Sequence, residues 1–256
     1  LAGGRANTYF HRDDVCQEAT LKAVVLMPTY NELDVLEHSV EQLFLAMPET
    51  HLTIIDDNSP DGTGELADRL ASRNKQISVI HRPAKKGLGL AYVEGFRWAI
   101  DRGFTHVVQM DSDGSHRPSD LPELFEMAAT HDLVIGSRWV DGGEVKNWPA
   151  LRMFISRIGN RYAALMLSSK LKDLTAGFRI YSTELLAKLP LSSMRAHGYG
   201  FQVEMTLRAS EAGAKIVEVP IHFVERESGK SKMTLGIVLE AFLLCTGWGI
   251  ARLFRR

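Results

Sequence analysis

Lys22-Ala-Val-Val-Leu-Met27 is a short, unbroken apolar run, and Pro28-Thr-Tyr-Asn-Glu32 follows it at once. Such a run reads as a buried strand, with the proline as its stop. Beyond it Val35, Leu36, Val40, Leu43, Phe44 and Met47 recur at helical spacing, which predicts a helix over 34–47. The unit then repeats. Leu52-Thr-Ile-Ile55 predicts a second strand, closed by the turn-rich Asp56-Asp-Asn-Ser-Pro-Asp-Gly62. Helices are expected at Gly64–Arg73, Gly89–Arg102 and Leu121–Thr130, and strands at Ile77–His81, Thr105–Met110 and Asp132–Gly136. Alternation of this kind from 22 to 136 predicts an α/β layer with a mostly parallel sheet. Ligands of such sheets sit beyond the carboxyl ends of the strands. The polar clusters after 27, 55 and 110 fall there.

The rest of the composition narrows the function. With 256 residues, 45% of them hydrophobic and 24% charged, the chain is neither disordered nor fibrous. Thirty Lys and Arg against 31 Asp and Glu give a net charge of −1, which argues against a general nucleic-acid binder. Cys16 and Cys245 lie near opposite ends, so there is no disulfide framework and no paired-cysteine metal site. Leu1–Phe10 lacks the apolar core of a signal peptide. Residues 1–21 read as a loose arm, 22–232 as the catalytic domain and 233–256 as a C-terminal apolar, membrane-associated helix.

Two segments of the second half bear on membranes. Over 151–167, Leu151, Phe154, Ile155 and Ile158 alternate with Arg152, Arg157 and Arg161, and no acid lies between Glu144 and Asp173. A basic amphipathic helix of this kind suits an anionic membrane surface, or packing on its own sheet. Residues 233–254 are long enough to span a bilayer. Glu240 stands mid-run, however, and a charge at the bilayer centre costs ~2.5–3.5 kcal/mol. An interfacial or protein-packed helix is therefore expected.

Three clusters could carry chemistry. Asp111-Ser112-Asp113 follows the strand at Thr105–Met110, and two carboxylates so placed can share a hard cation such as Mg²⁺ or Mn²⁺, which keeps phosphate oxygens in its shell. Turns carry the same pattern without metal. Asp56-Asp57 could accept hydrogen bonds from a base or ribose, or could be turn chemistry; Asp61 and Thr63 are the better caps for the following helix, which leaves Asp56 and Asp57 for another purpose. Pro28-Thr-Tyr-Asn-Glu32 offers an aromatic ring and polar side chains to a base. Gly87-Leu-Gly-Leu-Ala-Tyr92 begins like a dinucleotide fingerprint but ends on tyrosine, and it follows the third strand rather than the first, which argues against a Rossmann dehydrogenase. Arg138, Arg152 with Ser156, and Arg226 to Lys232 are the cationic candidates for phosphate.

Together these pieces resemble the polyprenol (dolichol) phosphate mannosyltransferases, family-2 glycosyltransferases of GT-A fold. The matching stretches are Pro28–Glu32, Ile54–Thr63, Lys86–Tyr92, Met110–His116, Gly136–Arg138, Thr175–Arg179 and Gly229–Lys232, in order over 22–235. The resemblance implies a Rossmann-like central sheet flanked by helices, with C-terminal amphipathic and apolar helices. It assigns Pro28, Tyr30, Glu32, Ile55 and Asp57 to the nucleotide of GDP-mannose. Asp111 and Asp113 would hold Mg²⁺ or Mn²⁺ on the diphosphate, with Ser112 nearby. Arg138, Arg152 and Ser156 would bind the polyprenyl or dolichyl phosphate, while Arg226 and Lys232 would close over the donor. Some relatives carry Gln at the position of Ser115 as a further metal ligand; here water or Ser115 Oγ takes its place. The implied reaction is one inverting displacement at the cytoplasmic face of a membrane, by a peripheral or weakly anchored enzyme, with a membrane partner domain or subunit left open. No base is required, since a phosphate monoester with a second pKa near ~6 is already largely ionised. The rivals are a polyprenyl-phosphate glucosyltransferase using UDP-glucose, and a non-catalytic nucleotide-binding scaffold. Relatives of the first usually carry two C-terminal spans, and intact Asp111, Asp113 and Arg138 argue against the second.

Overall fold

The computed structural model describes residues 21–194, 198–225 and 235–253. The expected arm over 1–21, but for its last residue, and the boundary at 232 lie outside them. In chain order the elements are β1 (Ala23–Thr29), α1 (Leu33–Ala46), β2 (His51–Asp56), α2 (Thr63–Arg73), β3 (Ile77–His81), α3 (Leu88–Asp101), β4 (His106–Gln109), α4 (Leu121–Ala128) and β5 (Leu133–Ser137). They continue with β6 (Glu144–Lys146), α5 (Ala150–Leu167), β7 (Arg179–Ser182), α6 (Thr183–Lys188), α7 (Gly198–Glu211), β8 (Ile216–Pro220), β9 (His222–Val224) and α8 (Leu235–Leu253).

The seven-stranded sheet runs β3-β2-β1-β4-β7-β5-β8. All its pairings are parallel except those of β7, which lies antiparallel between β4 and β5. The apolar strands of the first half are buried on both faces, with one core under α3, α6 and α7 and the other under α1, α2 and α4. Pro28 does not end β1 as the sequence suggested. The ladder to β2 continues through Pro28↔Ile55 and Thr29↔Asp56. The proline is tolerated because pairing to β4 has already stopped at Leu26↔Gln109, so its missing N–H faces no partner strand.

The loops after β1 and β2 lock each other. Asp61 accepts the Thr63 N–H at 3.0 Å with one oxygen and the Leu33 N–H at 3.2 Å with the other, so one carboxylate serves the starts of α1 and α2. Asn31 and Asn58 take the left-handed conformation at φ 57° and 59°, which asparagine tolerates. Asp56 is turn chemistry after all: its carboxylate accepts from Ser59 N–H, Ser59 Oγ and Thr29 Oγ1. The suggestion that it awaited another purpose is corrected.

The second half escaped the strand-by-strand reading. β7 and β8 extend the sheet, and β6 pairs with β9 in a separate two-stranded parallel ribbon. α5, α7 and α8 share a third core built on Ala163, Leu167, Leu174, Val203, Leu207 and Cys245. α8 is thus packed on the domain on one side, while Leu239, Phe242, Leu243 and Ile250 stay exposed. No described helix is long and apolar enough to cross a membrane.

Gly89 sets the closest approach of α3 to α7, since a Cβ there would stand 2.7 Å from the Phe201 ring. Gly89→Ala should therefore force the ring aside and cost about 1–3 kcal/mol. Thermal unfolding should record a Tm drop of roughly 2–4 °C per kcal/mol.

Candidate active site

The carboxyl ends of β1, β2 and β4 open on a polar cleft of about 380 Å³. Pro28, Tyr30, Glu32 and Asp57 line one end of the sequence-predicted set, and Asp111, Ser112, Asp113 and Ser115 another. Arg138 and Arg152 line it as well. Ile55 does not. It is fully buried beneath α3, where its methyl faces Gly95, so its assignment as a nucleotide contact is corrected for the side chain. The reason is position along the chain: Asp57 lies beyond the end of β2 and reaches the cleft, whereas Ile55 lies within the strand, beneath α3. Arg226 and Lys232 lie outside the described residues. Ser156 lines a neighbouring cavity instead of the cleft.

The Asp111–Asp113 loop is held from several directions. Ser39 Oγ donates to the Ser112 carbonyl at 2.7 Å, and Ser112 Oγ to the Pro28 carbonyl at 3.3 Å. The Asp111 N–H donates to His116 Nδ1 at 3.0 Å, while the His116 ring stacks on Phe178 at 4.9 Å between centroids. A backbone N–H can only donate, so Nδ1 is the unprotonated nitrogen of that ring. Tyr92 Oη donates to Asp111 Oδ1 at 3.4 Å. Burial, then the Asp111 charge, push the Tyr92 hydroxyl well above its ordinary pKa, so it stays a donor. Ser115 N–H donates to Asp113 Oδ1 at 3.1 Å, and its carbonyl receives the Val224 N–H, which ties the loop to β9.

Two carboxylates in one cleft are hard oxygen donors suited to Mg²⁺ or Mn²⁺. No third His, Cys, Asp or Glu joins them among the described residues. The remaining positions of an octahedral ion would fall to water and ligand oxygens, which such ions readily keep. The space is there: Gly177 lines the cleft, and a Cβ on it would stand 3.9 Å from Asp111 Oδ2 and 3.5 Å from His116 Cε1. The residues fit the cation.

At the Tyr30 end of the cleft, Asp57 pairs with Arg82, which also holds Glu94 at 3.0 Å. Burial still pushes the Asp57 carboxyl above its ordinary pKa, with the Arg82 charge opposing and Asp56 adding to the rise. Lys85 Nζ sits 3.9 Å over the Tyr30 ring.

The cleft meets a second cavity, apolar and about 370 Å³, between α5, α7 and α8. Both are lined by Arg138, Trp148, Arg152 and Thr175, which therefore form their junction. Arg138 is buried there, and Asp173 is fully buried against it. Asp173 accepts from Arg138 Nε and Nη2 at 2.7 Å each and from the Arg138 backbone N–H at 3.0 Å. Burial opposes the Asp173 charge, but the Arg138 contacts and the nearby Arg179 charge hold its carboxyl below the ordinary range. Arg152 pairs with Glu225 and stacks 4.0 Å over Trp148.

Sequence reasoning missed Tyr92, His116, Trp148, Asp173, Gln202 and Glu225. Three signals were available. Tyr92 and His116 end two of the quoted motifs, and Asp173 is the acid that closes the acid-free stretch after Glu144. Trp148, Gln202 and Glu225 carried no local signal.

Against known proteins, residues 24–189 match the sequence model of "Glycosyl transferase family 2". The chain is 48% identical over 231 residues to the undecaprenyl-phosphate mannosyltransferase of Micrococcus luteus, covering 90% of this chain and 95% of that one. It is 44% identical over 240 residues to the polyprenol monophosphomannose synthase of Mycolicibacterium smegmatis, covering 93% and 91%. Among solved structures, glucosyl-3-phosphoglycerate synthase from Mycobacterium tuberculosis, crystallised with Mn²⁺, UDP and phosphoglyceric acid, superposes with a TM-score of 0.68 at 18% identity, covering 90% of this chain and 79% of that one. At that identity the likeness speaks for the fold, a GT-A-like α/β layer.

Asp173→Asn leaves Arg138 buried without its counter-charge, and breaking a buried pair from one side costs about 3–5 kcal/mol. The Asp173 carboxyl is held below its ordinary pKa, so its contribution is present above the unfolded value of about 3.9 and is lost as pH falls through the folded value. Denaturant titrations of the wild type and the variant should differ fully at pH 7 and converge below about pH 4.

Proposed function

The chain belongs to glycosyl transferase family 2, and on that footing we propose that it moves mannose from GDP-mannose to the phosphate of a membrane polyprenol. The relatives' names support mannose and a polyprenyl phosphate. The observation that carries the reading is the junction: a polar cleft with two carboxylates opens, through two arginines, on an apolar cavity. A reaction that joins a nucleotide sugar to a lipid phosphate needs those two environments side by side.

In this reading Pro28, Tyr30, Glu32 and Asp57 receive the nucleoside. Asp111 and Asp113 would hold a divalent cation, which supplies charge neutralisation at the diphosphate leaving group. The acceptor phosphate would sit at Arg152 with Arg138 behind it, and its isoprenoid chain in the apolar cavity past Ser156. The phosphate oxygen forms a new bond to the anomeric carbon. The bond from that carbon to the diphosphate breaks, and its electron pair leaves with GDP. No side chain has to remove a proton, because a phosphate monoester with a second pKa near ~6 is already an anion at neutral pH. What the chain supplies is position and charge: the cleft holds two polyanions in line and the arginines offset their repulsion.

The surface fits a peripheral membrane enzyme, and we take the cytoplasmic face as its side. Leu151, Phe154 and Ile158 of α5 and Leu239, Phe242 and Leu243 of α8 are exposed, and Phe154, Ile158 and Phe242 also line the apolar cavity. Arg157 and Arg161 project from the same helix, α5. Apolar residues entering the headgroup boundary, with cations beside anionic lipid, are the usual interfacial arrangement.

The test is labelled sugar transfer to polyprenyl phosphate, run with GDP-mannose and with UDP-glucose, each with and without EDTA. Label from GDP-mannose alone, abolished by EDTA, is expected; label from UDP-glucose alone would reverse the donor. Asp113→Asn should lower turnover on the order of 100-fold or more. Its Tm should match the wild type, and GDP binding should lose its response to EDTA.

A further inference from the structure

Both guanidinium groups at the junction already hold a carboxylate, Arg138 that of Asp173 and Arg152 that of Glu225. A phosphate that takes the bonded nitrogens of either has to displace a carboxylate. The two pairs are unequal. Asp173 is fully buried and bonded to Arg138 through both side-chain and backbone N–H groups, and its own N–H donates to Glu218 at 2.7 Å. Glu225 is 30% exposed and reaches Arg152 through a single contact to Nη1. The Glu225 backbone is pinned, its N–H donating to the Lys146 carbonyl at 3.2 Å, so its carboxylate can swing away while the strand end stays in place. Arg152 would keep its place as well, because its guanidinium carbon sits 4.0 Å over the Trp148 ring, which packs edge-on to Phe223.

Among the described residues, two donors at this spot have no acceptor. Arg152 Nε and Trp148 Nε1 are both buried and unbonded. Buried N–H groups without partners are costly, and a carboxylate held on Nη1 leaves them unsatisfied. An anion with more oxygens at the same place could reach them.

We propose that Glu225 is a surrogate anion: it occupies Arg152 when the site is empty and yields it to the acceptor phosphate. The inference rests on the reading that Arg152 receives the acceptor phosphate. Its logic is electrostatic. The monoester carries nearly two negative charges at neutral pH and three terminal oxygens, and so outcompetes a carboxylate with one charge. Transfer converts it to a diester with one charge and two free oxygens, which has no such advantage. The cost of displacing Glu225 falls on any ligand that takes Arg152.

The experiment uses the full chain with undecaprenyl phosphate and its mannosylated product in detergent or lipid vesicles, and measures the dissociation constant of each for the wild type, Glu225→Gln, Arg152→Ala and the double variant. Glu225→Gln keeps the shape and removes the charge at a partly exposed site, so its Tm should match the wild type. It should tighten acceptor binding about three- to fivefold and product binding by no more than that, which is the scale of one partly exposed ion pair. The KM for the acceptor should fall while the KM for the nucleotide sugar stays unchanged. In the Arg152→Ala background the Glu225 change should have no effect. If Arg152→Ala weakens acceptor binding but Glu225→Gln changes neither constant, or weakens both, Glu225 only orients Arg152 and the proposal fails alone. If Arg152→Ala leaves acceptor binding unchanged, the phosphate lies elsewhere and the reading beneath the proposal fails with it.

Discussion

The bond between Arg138 and Asp173 determines where almost everything else at the site can be. Asp173 has no contact with water and takes three hydrogen bonds from Arg138. Its backbone N–H and that of Lys172 are held by the Glu218 carboxylate on β8, which also accepts from Ser137 Oγ at the end of β5. Next along the chain, Thr175 bonds Asn160 of α5 through both its N–H and its hydroxyl. One buried carboxylate thus joins β5, β8, α5 and the segment that carries Gly177 into the cleft. A charge pair removed from water is not by itself a gain in stability, because desolvation offsets the attraction. Its value here is geometric, since the two carboxylates tie groups from several elements into one arrangement.

Arg179 extends the same logic to α7. It is fully buried, and its guanidinium donates to the carbonyls of Leu174, Ala176 and Gln202 and to Thr206 Oγ1. Those bonds hold the loop before β7 against the helix that carries Gln202. The antiparallel strand β7 is therefore more than an extension of the sheet. It anchors the wall of the cleft opposite Asp111 and Asp113.

The distribution of charge across the cleft follows from what it must hold. Arg82, Arg138 and Arg152 each have a carboxylate partner before any ligand arrives. A cluster of unpaired cations would repel itself in the empty protein, and partners of graded burial avoid that. The deeply buried partner, Asp173, fixes its arginine. The more exposed one, Glu225, leaves its arginine exchangeable. Position in the fold, rather than residue type, separates a structural arginine from one able to trade its counter-ion.

The first half of the chain was legible in sequence because its strands are local apolar runs, buried on both faces except at the edge strand β3, and each helix repeats at 3.6 residues. The Asp111–Asp113 pair was legible for the same local reason, as polar residues directly after a strand. Ile55 was misassigned because its motif reaches the cleft only past the end of β2, while Ile55 itself lies within the strand under α3. Pro28 was read as a stop because a sequence does not show that β4 ends two residues before it in register. The short strands β6, β7 and β9 have too few residues for a period to appear. What only the tertiary structure decided is the pairing of Arg138 with Asp173, 35 residues apart, and of Arg152 with Glu225, 73 apart. Local pattern reports which face of an element is buried. Which charge meets which across the fold depends on the order of strands in the sheet, and no local pattern encodes that.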